Sequence, residues 1–377
     1  MLHWRTMRTA IGWACTVAVV ACGTEPAKPA QSGSDAVGSD TDAAVDAGTP
    51  TDATAGCGPA ALDCGGAACV EGACAPVSVA EGQPFPCRIE ADADGVFWLV
   101  QPFDGKQGAV VRRAGTEAPV RLAEVPGAPM ALVLDATHVY FSTSGPPAVL
   151  YRVPRAGGSL ETIASDADPS NGNLVRSLAL DAADLWWSDY KTSQVVRVAK
   201  GAKNPEVFAK PIAPSDIARI DASVLVVSQG ARALLEYPVA GGDPVARADW
   251  TCDKIMACTG GAGLVGRSYL VALTAKDEAA GRVLAYDLDT QAVAVVATGQ
   301  KSPIGVAALG DRAFWLNAGT SNAGFLDGEI RTALRDGSQA ATVATGLREA
   351  CGIAAWGGFV YYTSKVEGRV YRINVGP

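Results

Sequence analysis

The chain has 377 residues, with Lys and Arg supplying 31 and Asp and Glu 39, for a net charge of −8. Apolar residues make up 49% and charged ones 19%, and 42 Gly with 22 Pro provide abundant turns, which excludes a wholly disordered chain, a collagen and a coiled coil. A pI near 4.9 argues against nucleic acid as a partner, because phosphate binding needs a basic surface.

Residues 1–21 read as an export signal. His3, Arg5 and Arg8 make a short basic start, and Ala10 to Ala21 form an apolar stretch of 12 residues. Twelve helical residues rise about 18 Å, short of a hydrocarbon core of about 30 Å but usual for a signal sequence. The stretch ends in Val19-Val20-Ala21-Cys22, which resembles the lipobox of bacterial lipoproteins. That resemblance implies that the Cys22 thiol receives a diacylglyceryl group and becomes the new N-terminus. The rest of the chain would be exported and held to a membrane by its lipid. Gly23 stands where an Asp would, in enteric bacteria, retain a lipoprotein at the inner membrane. The cell envelope, at the outer membrane, is therefore the expected location, with the displayed side left open.

Residues 22–56 follow as a lipidated Cys and a linker of Gly, Ser, Thr, Ala, Pro and Asp, without an aromatic or large aliphatic side chain beyond Val37 and Val45. Nothing there offsets chain entropy, so disorder is expected. Glu25, Asp35, Asp40, Asp42, Asp46 and Asp52 against Lys28 make the tether acidic. Its flexible reach is about 30 Å.

Ten cysteines are present, and eight remain once Cys15 leaves with the signal and Cys22 carries lipid. An even number in an oxidising compartment reads as disulfides. Cys57, Cys64, Cys69 and Cys74 fall within residues 57–75, a segment too short for a core of its own, which two bridges would stabilise. All three pairings are open. A four-thiolate zinc site is the competing reading, but the C-x2-C spacing of zinc knuckles is missing. Cys252 and Cys258 are placed to close one loop, leaving Cys87 and Cys351.

From residue 76 onward the chain repeats. An apolar strand signature preceded by a turn recurs with Phe97, Tyr140, Trp186, Leu225, Leu270, Phe314 and Tyr361 at the same place, at a mean step of about 44 residues. Each copy carries four short strand patterns, which is the composition of a propeller blade. The expected fold is all-β, a seven-bladed β-propeller over residues 76–377. Its seventh unit stops after three strands, and Pro76–Gln83, which resembles Ala294–Gln300, is expected to supply the fourth. In this register Cys87 and Cys351 both stand ten residues before their signature, predicting a disulfide across the closure with Cα atoms under about 7 Å apart. Trp98, Trp186, Trp187, Trp315 and Tyr361 are expected to pack between blades.

Leu185-Trp186-Trp187-Ser188-Asp189, followed by Val196-Arg197, resembles the YWTD repeat of low-density-lipoprotein-receptor propellers, and NHL propellers share the same repeat logic. Val360–Ser364 and Val139–Thr143 are looser copies. In the YWTD family the Asp braces the blade. Asp189 matches it, while other blades carry Thr143, Asn317 or Ser364. Those receptors have six blades, so no receptor-type ligand is carried over.

Catalytic signals are sparse. His138 sits in a hairpin turn and is the sole histidine after the signal, and neither a Gly-x-Ser-x-Gly elbow nor a Gly-x-x-x-x-Gly-Lys loop occurs. Outer-to-inner connections and the loops after second strands should share the face at the channel mouth. Arg176, Tyr190, Asp216, Trp250, Phe325, Arg348 and Glu349 would line it, with the Cys252–Cys258 loop. Asp166, Asp168, Asn171 and Asn173 place oxygens at alternate positions, as calcium requires, although these are also ordinary turn residues. No cofactor is otherwise implied. The expected function is non-catalytic binding or scaffolding at the envelope, with a protein or glycan partner. The alternative is a lactonase-like hydrolase or lyase holding a divalent metal at the channel mouth. Such a site needs three or four convergent ligands, and of the acids Asp216 and Glu349 lie near inner-strand starts.

Overall fold

The computed structural model describes residues 57, 64, 68–70, 73–101, 107–144, 148–165, 175–249, 261–275 and 277–376. Cys22 and the linker lie outside these residues, as do Asp166, Asp168, Asn171, Asn173, Trp250, Cys252 and Cys258.

The described body is seven four-stranded antiparallel sheets, with one two-stranded hairpin ahead of them. The inner strands are Pro86–Asp92, Ala128–Leu134, Val175–Leu180, Pro214–Ile220, Gly261–Val265, Pro303–Leu309 and Ala350–Trp356, defining blades 1 to 7 in that order. Each inner strand touches that of the next blade, and Ala350–Trp356 returns to touch Pro86–Asp92, so the ring closes. In blades 1 to 6 the strand order follows the chain from axis to rim. Blade 7 takes its outer strand from the other end of the chain: Val77–Ala80 pairs with Arg369–Asn374, placing Val77 opposite Arg372 and Ser78 opposite Tyr371. This pairing covers backbone groups that would otherwise form an open sheet edge.

The second strands carry the repeating signature because both of their faces are covered. Trp98, Trp186 and Trp315 are fully buried. Apolar clusters lie between successive blades: Trp98 meets Ala354 and Tyr361 between blades 1 and 7, and Trp187 meets Tyr140 between blades 2 and 3. Trp186 meets Ile217 and Val226 between blades 3 and 4, and Trp315 meets Val265 and Leu270 between blades 5 and 6. Successive side chains of a second strand point to opposite faces, so neighbours such as Trp186 and Trp187 build contacts with the blades on either side.

The closure disulfide is present, with Cys87 and Cys351 Cα atoms 5.1 Å apart. Ahead of the ring, Cys57 pairs with Cys69 and Cys64 with Cys74, resolving the connectivity that spacing left open. The bridges lie side by side, with the Cys57, Cys64 and Cys74 sulfurs within 4.8 Å of one another, and all are committed to disulfides. This small unit packs its buried cysteines into the cluster of Val343, Leu347, Val360 and Tyr362, at the junction of blades 6 and 7.

Candidate functional site

The inner strands begin with an irregularity that shapes the channel. In blades 1, 2, 3, 4, 6 and 7 the register between inner and second strand shifts within the first few residues. Such a bulge frees backbone groups that need new partners. Second-strand hydroxyls accept them: Ser142 Oγ takes the Ala131 N–H at 3.2 Å, Ser188 Oγ the Ser177 N–H at 3.2 Å, and Thr363 Oγ1 the Gly352 N–H at 3.0 Å. Blade 4 has Val227 at this place, and the bulged Ser215 donates its own hydroxyl to the Val227 carbonyl at 3.1 Å. In blades 3, 4 and 7 the polar residue closing the second-strand signature braces the adjoining corner. Asp189 accepts the N–H groups of Lys191 and Thr192, while Ser228 and Ser364 donate to the Ile212 and Arg348 carbonyls.

Nine residues before each signature residue stand Arg88, Ala131, Ser177, Asp216, Gly261, Gly305 and Gly352. The ring at this level is mostly small, so the two charged side chains have room to extend into the lumen. Gly352 is required by close approach: a Cβ there would lie 3.0 Å from the Arg88 backbone nitrogen. The resulting cavity is about 220 Å³ and is lined by Arg88, Glu90, Arg176, Ser177, Ser215 and Asp216 among others.

The charges in this cavity are not equivalent. Asp216 Oδ1 accepts from Ser177 Oγ at 2.7 Å and from its neighbour's N–H at Ile217, while Oδ2 accepts from the Ala262 N–H at 3.0 Å. It therefore ties blades 3, 4 and 5 together. Burial raises its pKa, against the opposing pull of these donors and of Arg88. Arg88 donates through Nε to the Met130 carbonyl at 3.1 Å, linking blades 1 and 2. Burial pushes the Glu90 carboxyl up to about 7, despite the nearby Arg88 and helped by repulsion from Asp92. A carboxyl in that range exchanges protons near neutral pH.

Of the other anticipated face residues, Arg176 reaches this opening and stacks on the Tyr190 ring, 4.8 Å from its centroid. Phe325 is 36% exposed, and its carbonyl accepts the Glu349 N–H at 2.9 Å. Glu349 has φ 43°, but Phe85, Ala213 and Ser302 occupy equivalent corners with φ of 46°, 49° and 51°. The positive φ is therefore a property of the outer-to-inner corner. Arg348 contributes its backbone carbonyl to Ser364. Lys365, whose pKa is lowered by burial, faces Glu349 as its opposite charge and Arg88 as a like one.

Arg88, Glu90 and Lys365 escaped the sequence reading. Counting back along the repeat from Phe97 places Arg88 level with Asp216, so repeat register was the available signal for one of them. His138 opens the second strand of blade 2, where Thr137 Oγ1 lies 2.8 Å from its Nδ1, remote from the channel residues in blade position.

A closed ring of seven four-stranded antiparallel sheets around a polar lumen defines a seven-bladed β-propeller. No family model matches the chain, and no curated protein does. Among solved structures it is similar to an oligogalacturonate lyase in complex with manganese, at 12% identity and a TM-score of 0.59, covering 79% of this chain and 92% of that one. It is also similar to a computationally designed protein, Ika8, at 12% identity and TM-score 0.53, covering 79% and 98%. A third is the extracellular domain of a putative one-component system from B. thetaiotaomicron, at 11% identity and TM-score 0.54, covering 78% of this chain and 39% of that one. At these identities the likeness is one of fold.

Proposed function

We propose that this protein is an exported lipoprotein, anchored at the cell envelope through Cys22, whose propeller binds a protein or glycan partner at the channel-mouth face. The lipobox-like segment and the three disulfides support export to an oxidising compartment. A YWTD-like repeat is supported by Asp189, which caps its corner through two backbone N–H groups. The observation that carries the binding reading is the state of Asp216: both carboxylate oxygens are already used by donors from three blades, so it serves the ring rather than an incoming ion. Arg176 shares the cavity of Asp216 and stacks on Tyr190, and Phe325 is exposed at the Glu349 corner; these are aromatic and guanidinium groups of the kind that favour partner contacts.

A second reading, a hydrolase or lyase of the lactonase type with a divalent metal, draws on Glu90, whose raised pKa suits proton transfer. Elemental analysis of the purified propeller separates the two: a stoichiometric divalent ion would favour the enzyme. For the anchored binder, Cys22→Ala should abolish lipid labelling and release the protein from the membrane fraction. Crosslinking in intact envelopes should give a discrete adduct that Tyr190→Ala or Phe325→Ala removes. An adduct pattern unchanged by either substitution would rule out this face.

A further inference from the structure

On the face opposite the channel mouth, an ion pair bridges blade 1 to blade 2 and another, at the same repeat position, bridges blade 2 to blade 3; blades 4, 5 and 6 carry Ile220, Val265 and Leu309 where the acid would stand. Asp92, at the inner-to-second-strand turn of blade 1, binds Arg155 of blade 2 at 2.6 Å. Asp135 of blade 2 binds Lys200 of blade 3 at 3.1 Å. Strand register shows what replaces this pair where blade 7 meets blade 1. Val96, Val139, Leu185 and Val360 are equivalent, and four residues before them stand Asp92, Asp135, Asp181 and Trp356. Opposite them on the third strands stand Arg113, Val153 and Val198, and two residues further on lie Gly115, Arg155 and Lys200. At the seam, therefore, the acid is a tryptophan and the cation a glycine. The Trp356-Gly357-Gly358-Phe359 hairpin needs no Asp cap, since both glycines adopt positive φ, 60° and 82°.

A cleft of about 340 Å³ lies at this junction. Trp356 stands at its edge, 46% exposed, and Phe359 lies under the Arg372 guanidinium, 4.7 Å from the ring centroid. Arg113 also lines it, held by the backbone carbonyls of Val79 and Glu117. Neither Arg113 nor Arg372 has a carboxylate within ion-pairing distance among the described residues, and the cleft's own acid, Asp92, is committed to Arg155. In a chain of net charge −8, this is an aromatic pocket carrying two arginines without counter-charges.

We propose that this seam cleft is a second binding site, separate from the channel mouth, and that it takes an acidic saccharide. The exposed indole supplies a flat apolar platform for a sugar ring, and the planar guanidiniums match a carboxylate. A neutral sugar would leave both arginines uncompensated, and a small carboxylate without a ring would leave the indole uncovered.

Calorimetry with a glucuronate-containing disaccharide, its carboxyl-reduced neutral counterpart and acetate tests this on the mature full-length protein. The acidic disaccharide should bind about ten- to a hundredfold more tightly than the neutral one, the range expected for a charge-assisted hydrogen bond. Trp356→Ala and Arg372→Gln should each abolish or weaken binding with unchanged thermal melts, while Tyr190→Ala on the other face leaves it intact. Equal affinity for acidic and neutral sugars, binding indifferent to Trp356→Ala, loss of binding with Tyr190→Ala, or no binding at all would overturn the proposal. Because the Tyr190 variant tests the channel mouth alone, failure at one face does not decide the other.

Discussion

Trp98 and Gln83 meet across the closure of the ring, where the indole Nε1 donates to Gln83 Oε1 at 3.2 Å. Trp315 makes the same bond to Gln300 Oε1 at 2.7 Å, and in both cases the Gln precedes its Trp by 15 residues. Gln300 ends the outer strand of blade 5, and Gln83 follows the strand that Val77–Ala80 adds to blade 7. The N-terminal segment therefore reproduces the end of an outer strand, including the acceptor that satisfies the next blade's buried indole.

The two glutamines should respond unequally to replacement by leucine. Gln300 is buried and also accepts from Asn317 Nδ2 at 3.0 Å, so Gln300→Leu strands two donors. That change should cost about 2–3 kcal/mol, against about 1 kcal/mol for Gln83→Leu, whose surroundings admit water. Denaturant melts of the two variants give the comparison, and equal losses would contradict the assigned difference in burial.

The Cys87–Cys351 bridge joins positions 264 residues apart, whereas the Cys57–Cys69 bridge spans 12. Chain-entropy reasoning gives about 5 kcal/mol for the former and about 3 kcal/mol for the latter. The Cys87→Ala/Cys351→Ala double variant should accordingly lower the melting temperature more than Cys57→Ala/Cys69→Ala. Opening of the 7–1 seam should also appear as faster amide exchange in Val77–Ala80.

Glu90 supplies a pH dependence with a definite sign. Its carboxyl titrates at about 7 in the fold against an ordinary value of 4.5. Between those values the native state holds more protons than the unfolded chain, so stability falls as pH rises from about 4.5 to 7 and then levels off. Glu90→Gln removes this loss, and its stability relative to the parent should increase from pH 5 to pH 7.5. A constant difference across that interval would show that Glu90 is not perturbed.

The inter-blade ion pairs should not be equal in weight. Arg155, with a side chain 9% exposed, binds Asp92 and also lies 4.7 Å from the Phe97 ring centroid. Arg267, 48% exposed, binds Asp221 and Asp289 at the surface. Arg155→Leu should cost about 2–3 kcal/mol, because Asp92 loses its partner in a half-buried site, while Arg267→Leu should cost under about 1 kcal/mol. Salt titration of the melts should affect the exposed pair more.

Periodicity made the ring legible from residues alone. A continuous apolar strand signature repeated every 44 or so positions demands sheets covered on both faces, and a final unit of three strands demands a fourth from elsewhere. Hence the Val77–Ala80 pairing and the Cys87–Cys351 bridge could be anticipated, since both depend on register. The contents of the lumen and of the seam could not. Arg88 and Glu90 share the inner strand of blade 1 while Asp216 lies on that of blade 4, and their meeting depends on small neighbours such as Gly305 and Gly352 in the ring between. Asp216 was anticipated as a face residue, yet its oxygens are occupied by Ser177 and Ala262, which stand 39 and 46 residues away. Strand patterns are encoded locally, through short apolar runs that bury side chains on both faces. Charge pairing across blades is a property of three-dimensional proximity, which no single stretch of chain encodes.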